Sequence, residues 1–340
     1  MSNVVAKPAA LFTCLTKPAA ICSIVLVHVG LCVPVVAAEP VQPNDFIATF
    51  AKIFGEHPGV RKGHAKGFCV SGHFQGDTAA AAYSDGVLFS GQQYPLIGRF
   101  SLAGGNPQAA ENSRSPRGLG VQIQLPTGSY QQLALLSTPV FGAKDPASFL
   151  GLLQASVPGA DGKPNLAAIA AYRASHPDTQ AQARYLADSA PPASYASTFY
   201  YGLHTFYLQK GQQQTAVRWQ LEPLDGVAGL TDAEIAAKPS DFLQQRLSER
   251  LKKGPVQFRW QLVLAAPSDP LLDPSQQWPA KRQRVPAGLI TLTAVGGNSC
   301  DGVNFDPNVL ASGITASADP VLQMRSAAYA ISFGKRITGQ

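Results

Sequence analysis

The chain has 340 residues, 45% of them hydrophobic and 14% charged, with 27 Pro and 31 Gly. That length suits one large or two ordinary domains with a sizeable core and many irregular connections. The formal charge of +6 comes without a run of like charges, which argues against a nucleic-acid partner.

Residues 1–38 read as a secretory signal, and 39–340 as the folded domain. Lys7 and Lys17 are the only charges in the first part. The apolar stretch from Ile21, ICSIVLVHVGLCVPVVAA, ends in Val36-Ala37-Ala38, with small residues placed for a cut after Ala38. A retained anchor is the alternative. No later stretch reaches the roughly 20 apolar residues of a membrane helix, so no membrane partner is expected after cleavage. Losing two lysines takes the mature chain from +6 to +4. Three cysteines leave with the signal. Cys69 and Cys300 remain; they could pair in an oxidising compartment, but the residues alone favour two buried free thiols.

The first predicted element is an amphipathic helix over Asn44 to Phe54, with Phe46, Ile47, Phe50, Ile53 and Phe54 at helical spacing and Asn44 as N-cap. After Arg61 and His64, alternation from Phe68 to His73 predicts a strand. GRFSLAGG, LGVQIQL and SYQQLALLSTPVF follow as consecutive antiparallel strands, which points to a barrel or sandwich. The period then changes. Asp145 and Asn165 cap two predicted helices, with Pro146 at the first helical position. Strands resume from Ser197 and again from Gln213. A helical insert follows with Thr231 and Ser240 as N-caps, then VQFRWQLVLAAP and GLITLTAV. The chain closes in a helix, RSAAYAISFGKR. The fold class is α+β: an antiparallel β-barrel with inserted and flanking helices.

In that last helix Arg325 and Tyr329 stand at i and i+4, within reach of each other. A guanidinium against a phenol oxygen favours the phenolate, one of the few protein donors used as a proximal ligand to haem iron. Arg336 lies two turns beyond Tyr329 on the same side and could reach a carboxylate with a bidentate fork. His57 reads as loop surface, and His73 and His204 as structural.

Eight motifs in order then resemble the haem catalase family: RKGHAKG from Arg61, GRFS from Gly98, RSPRGLGVQ from Arg114, TPVF from Thr138, GLHTF from Gly202, DPLLDPSQQWP from Asp269, NFDPNVLASGI from Asn304, and RSAAYAISFGKR. They span nearly all of the mature chain and are most similar to the short, exported catalase-related peroxidases. The resemblance implies a catalase-like barrel and a haem b cofactor. There is no CxxCH for covalent attachment and no Cys/His spacing for zinc. It further implies Tyr329 as iron ligand with Arg325 holding the phenolate, and His64 as distal acid and base, oriented by Ser101. Arg61, Arg99 and Arg336 would bind the propionates, and Phe141 would pack the haem face. The implied partners are hydrogen peroxide and a small organic reductant, in a monomer or homodimer of the bacterial periplasm.

Two departures stand out. Full catalases carry an Asn pair before the TPIFF segment, where this chain has Leu135-Leu136-Ser137-Thr138; Leu136 or Ser137 replaces the distal amide. The proximal helix also ends the chain, leaving no C-terminal helical domain. Both point to a peroxidase with weak catalase activity. A true small catalase, a rearranger of lipid hydroperoxides and a non-catalytic haem binder are the competing readings.

Overall fold

Eight antiparallel strands close into a barrel in the computed structural model, which describes residues 40–126 and 128–340. They are β1 (Gly67–Gly76), β2 (Gln93–Leu102), β3 (Arg117–Gln124), β4 (Tyr130–Leu136), β5 (Tyr200–Lys210), β6 (Gln213–Pro223), β7 (Val256–Leu264) and β8 (Arg284–Val295). The hydrogen-bonded order is β4-β3-β2-β1-β8-β7-β6-β5, and a Leu136–Tyr201 pair joins the last strand to the first. Closure removes the exposed edges that an open sheet would present. A short β9 (Ile314–Ala316) adds to β5. The signal assigned to residues 1–38 lies outside the described residues, and no helix among the described residues is long and apolar enough to cross a membrane.

The strand period of two decides which residues share a face. Phe100 on β2, Leu119 and Val121 on β3, and Leu133 and Leu135 on β4 are buried in one core with Phe74, Tyr200, Phe258 and Trp260. Their neighbours Arg99, Ser101, Gly118, Gly120, Ala134 and Leu136 therefore face the other way. Register aligns these into two rows: Ser101, Gly118 and Leu136 lie side by side, as do Arg99, Gly120 and Ala134.

The helices are α1 (Pro43–Phe54), α2 (Pro146–Ala155), α3 (Leu166–Ser175), α4 (Ala181–Asp188), α5 (Asp232–Ala236), α6 (Phe242–Leu251) and α7 (Pro320–Ile337). Of these, α1, α2 and α7 lie over that second face, while α6 packs on β8. The Asp145, Asn165 and Thr231 caps form as expected, each side chain accepting from the backbone three residues on. Two expected caps do not. Helix α1 starts at Pro43 rather than after Asn44, because Pro suits the first position and Asp45 Oδ2 accepts from Gln42 N at 2.8 Å. Ser240 does not cap α6. Glu111, 132 residues upstream, accepts from Leu243 N at 2.7 Å and from Gln244 N at 3.3 Å, so a distant carboxylate satisfies the orphan donors.

The free thiols expected at Cys69 and Cys300 are instead a disulfide, with Cα atoms 5.4 Å apart. It joins β1 to the loop before β9 across 231 residues of sequence. A bridge that closes so long a loop constrains the unfolded chain strongly. Reduction, or the double change Cys69→Ser and Cys300→Ser, is expected to lower the unfolding free energy by about 2–4 kcal/mol. Denaturant unfolding with and without a thiol reductant checks this; coincident curves would contradict it.

Candidate active site

One cavity of about 260 Å³ lies between the outer face of β2–β4 and the helices α1 and α7. Of the residues singled out in the sequence, His64, Ser101, Arg61, Arg99, Phe141, Arg325 and Tyr329 all line it; Arg336 does not.

His64 stands in the left-handed region, at φ 54°. A non-glycine residue pays about 1–3 kcal/mol to remain there, so the surroundings must hold it. Arg99 does so from β2: Nη1 donates to His64 O at 2.8 Å and Nη2 to Ala65 O at 2.9 Å. The imidazole is fixed separately, by a 2.9 Å hydrogen bond between His64 Nδ1 and Ser101 Oγ. With the proton on Nδ1, Ser101 accepts and Nε2 keeps its lone pair. Beneath the ring lies Gly118, where a Cβ would come within 2.5 Å of Ser101 Oγ and 2.7 Å of His64 Nδ1. The second left-handed residue, Phe305 at φ 53°, also lines the cavity and packs over Gly120, where a Cβ would come within 2.8 Å of its ring.

Burial, reinforced by the Arg99, Arg325 and Arg61 guanidiniums, pushes His64 down from 6.5 to about 3. The ring is therefore a neutral base throughout the physiological range.

Helix α7 forms the opposite wall. Arg325 Nη2 donates to Tyr329 Oη, and its guanidinium lies 5.1 Å from the Tyr329 ring centroid. The start of α7 is fixed by Asp319, an N-cap whose Oδ1 accepts from Val321 N and Leu322 N while Oδ2 accepts from His204 Nδ1 at 2.6 Å. His204 is buried on β5, where its structural role becomes definite. It anchors the cap of the helix that carries Tyr329. Farther along, Asn308 Nδ2 donates to Leu322 O and to Ser326 Oγ, and Ser326 Oγ donates to Asp306 Oδ1. The NFDPN stretch is thus a clamp on α7.

Three guanidiniums meet at one side of the cavity. Arg61 Nη2 donates to Cys300 O and Val303 O, so the disulfide loop positions it. Burial first, then Arg99 and Arg336, lowers Arg61 to about 9; burial first, then Arg336, lowers Arg99 to about 10. The carboxylate acting on all three is Asp301. Arg336 Nη2 is buried without a partner among the described residues. Arg99, expected at a propionate, uses both terminal nitrogens on backbone carbonyls, though its charge adds to the group.

The third wall is apolar. Ala134, Leu135 and Leu136 line the cavity, whereas Ser137 turns away and its Oγ accepts from Arg117 N at 2.9 Å. Of the two candidates for the amide position, Leu136 is the one that lines the cavity. Phe141 packs against Phe149 at 4.7 Å between ring centroids, and Phe149 against Phe46 of α1 at 5.8 Å.

Sequence reasoning missed Asp319, Phe305 and the two glycines as parts of the site. Asp319-Pro320 was legible as a helix start, but its partner on β5 was not.

The chain is similar to known proteins of one family. The family described as Catalase matches residues 41–340. A catalase-related peroxidase of Synechococcus elongatus is 44% identical over 316 residues, 92% of this chain and 93% of that protein. A catalase-related peroxidase of Mycolicibacterium paratuberculosis is 32% identical, over 85% of this chain and 93% of its own length. A solved bacterial catalase superposes with a TM-score of 0.75 at 22% identity, over 83% of this chain but 58% of its own length; it shares the fold.

Gly118→Ala is expected to displace the His64 ring while the barrel survives. Peroxide turnover should fall by roughly 100-fold, within the range for losing an acid–base group, with an unchanged circular dichroism spectrum. Full activity in this variant would show that the ring does not depend on that glycine.

Proposed function

The chain belongs to the catalase family, and on that premise we propose a haem peroxidase that reduces hydrogen peroxide and small organic hydroperoxides with an organic electron donor, and dismutes peroxide only weakly. The observation that carries this reading is one cavity holding a neutral, oriented histidine on one wall and an arginine-paired tyrosine on the other.

The residues fit a haem. Three guanidiniums face a single carboxylate, and the buried Arg336 Nη2 has no partner among the described residues, so this corner is short of anions; two propionates would supply them. Tyr329 Oη would hold the iron, Arg325 would stabilise the ligating phenolate, and Phe141 would pack the macrocycle. A bound haem supplies a redox-active iron that accepts the oxidising equivalents of the peroxide.

His64 moves the proton. Its Nε2 takes a proton from one peroxide oxygen and returns it to the other as the O–O bond breaks. With the Nδ1 proton donated to Ser101, Nε2 keeps the lone pair this needs. Dismutation needs a second peroxide to be held as reductant, and the Ala134–Leu136 wall offers it no side-chain donor. We further propose an exported, oxidising setting such as the periplasm, which the disulfide supports.

Two measurements test these roles. His64 lies below its ordinary value, so its neutral form persists as pH falls through 6.5. kcat/KM for peroxide should stay level through that point and fall only as the pH nears about 3; a break near 6.5 would contradict it. By the same sign, between 6.5 and about 3 the unfolded chain binds a proton that the folded chain does not, so stability declines as pH falls across that window. The second measurement is oxygen evolution against dye oxidation by the purified holoprotein. Dye oxidation should dominate, and Leu136→Asn should raise the oxygen-evolving share by roughly tenfold, the worth of about one added hydrogen bond to the reacting group. Rapid oxygen evolution without dye oxidation would contradict the peroxidase reading.

A further inference from the structure

A second groove opens beside the cavity, between α1 and the last turns of α7. Its volume is about 370 Å³, and it shares Ile47, Phe50 and Arg61 with the cavity. One side is aromatic: Phe50 and Phe54 stand with ring centroids 6.1 Å apart. The other is cationic. Lys62 Nζ donates to His57 O at 3.0 Å and to Gln340 O at 2.8 Å, and the Lys335 side chain lines the groove with no hydrogen bond or ion pair among the described residues. Lys62 and Lys335 are close enough that Lys335, after burial, disfavours the charge on Lys62. Glu56 is the one acidic side chain among the described residues of the lining. The groove thus presents an aromatic wall, an excess of positive charge, and an inner end at Arg61 on the cavity.

We propose that this groove docks the electron donor, and that the donor is an anionic phenol, an aromatic ring carrying a carboxylate. The inference rests on the peroxidase reading. The ring lies against Phe50 and Phe54 in offset or edge contact. The carboxylate pairs with Lys335, next to the already bonded Lys62; a neutral phenol leaves Lys335 unpaired, and a cationic amine is repelled by both. The hydroxyl end points toward the wall shared with the cavity. Each phenol gives up one electron and one proton. Two phenols therefore supply the two electrons and two protons that turn one hydrogen peroxide, its O–O bond broken, into two waters, leaving two phenoxyl radicals.

The test compares three donors of similar size on the holoprotein at low ionic strength: para-hydroxyphenylpropionate, para-ethylphenol and tyramine. Equilibrium dialysis of para-hydroxyphenylpropionate without peroxide runs beside the kinetics. Wild type should show its lowest KM with the carboxylate. Lys335→Glu should raise that KM and the dialysis Kd by roughly tenfold and lower the KM for tyramine; surface pairs of this kind are modest and salt-screened. Three donors turned over with equal KM, or a Lys335→Glu variant that binds para-hydroxyphenylpropionate as wild type does, would overturn the groove. Binding that responds to Lys335→Glu without oxidation of any donor would uphold the groove as a site for anionic phenols while overturning the peroxidase reading.

Discussion

The Arg99 guanidinium, donating both terminal nitrogens to the carbonyls of His64 and Ala65, is the contact on which the distal side depends. Charge-assisted bonds of this kind are roughly twice as strong as neutral ones. They hold His64 in a backbone conformation that a residue with a Cβ resists. The arrangement also requires glycine close by. At Gly67 a Cβ would come within 2.7 Å of Arg99 Cζ, and at Gly118 it would strike the imidazole. The strain and the missing side chains serve one end: a histidine ring set above an open cavity rather than packed into the core.

The proximal side is built by a different device. Helix α7 buries only Val321 and Leu322, too little apolar surface to fix its position alone. Polar contacts make up the difference, with His204 gripping the Asp319 cap and Asp306 and Asn308 gripping Ser326. The disulfide loop then links the two halves. It supplies the carbonyls that hold Arg61 and carries Phe305 into the cavity wall. A bridge remote from the chemistry in sequence is thus close to it in space. Burial keeps His64 neutral, and the positive charge gathered around the cavity reinforces this and leaves a site for anions.

Much of this was legible in the chain. Alternation marked β1 and β3 and turns marked β2 and β4, the caps at Asp145, Asn165 and Thr231 marked helix starts, and the i, i+4 spacing alone placed Arg325 against Tyr329. Local rules govern each of these. What was not legible is set by contacts far apart in sequence. The pairing of Cys69 with Cys300 depends on the β1–loop packing, the capping of α6 on Glu111, and the anchoring of Asp319 on His204. Ser137 and Leu136 were indistinguishable as replacements for the distal amide until the register of β4 on β3 turned one toward Arg117 and the other toward the cavity.

We propose that the cavity holds a haem whose iron is bound by Tyr329. The most direct measurement is titration of the haem-free protein with haemin, followed by absorption and resonance Raman spectra, for wild type and Tyr329→Phe. One haem per wild-type chain with an iron–phenolate signature, and loss of that signature with much weaker binding in Tyr329→Phe, is the predicted result. Identical spectra and affinity in the two proteins would contradict it.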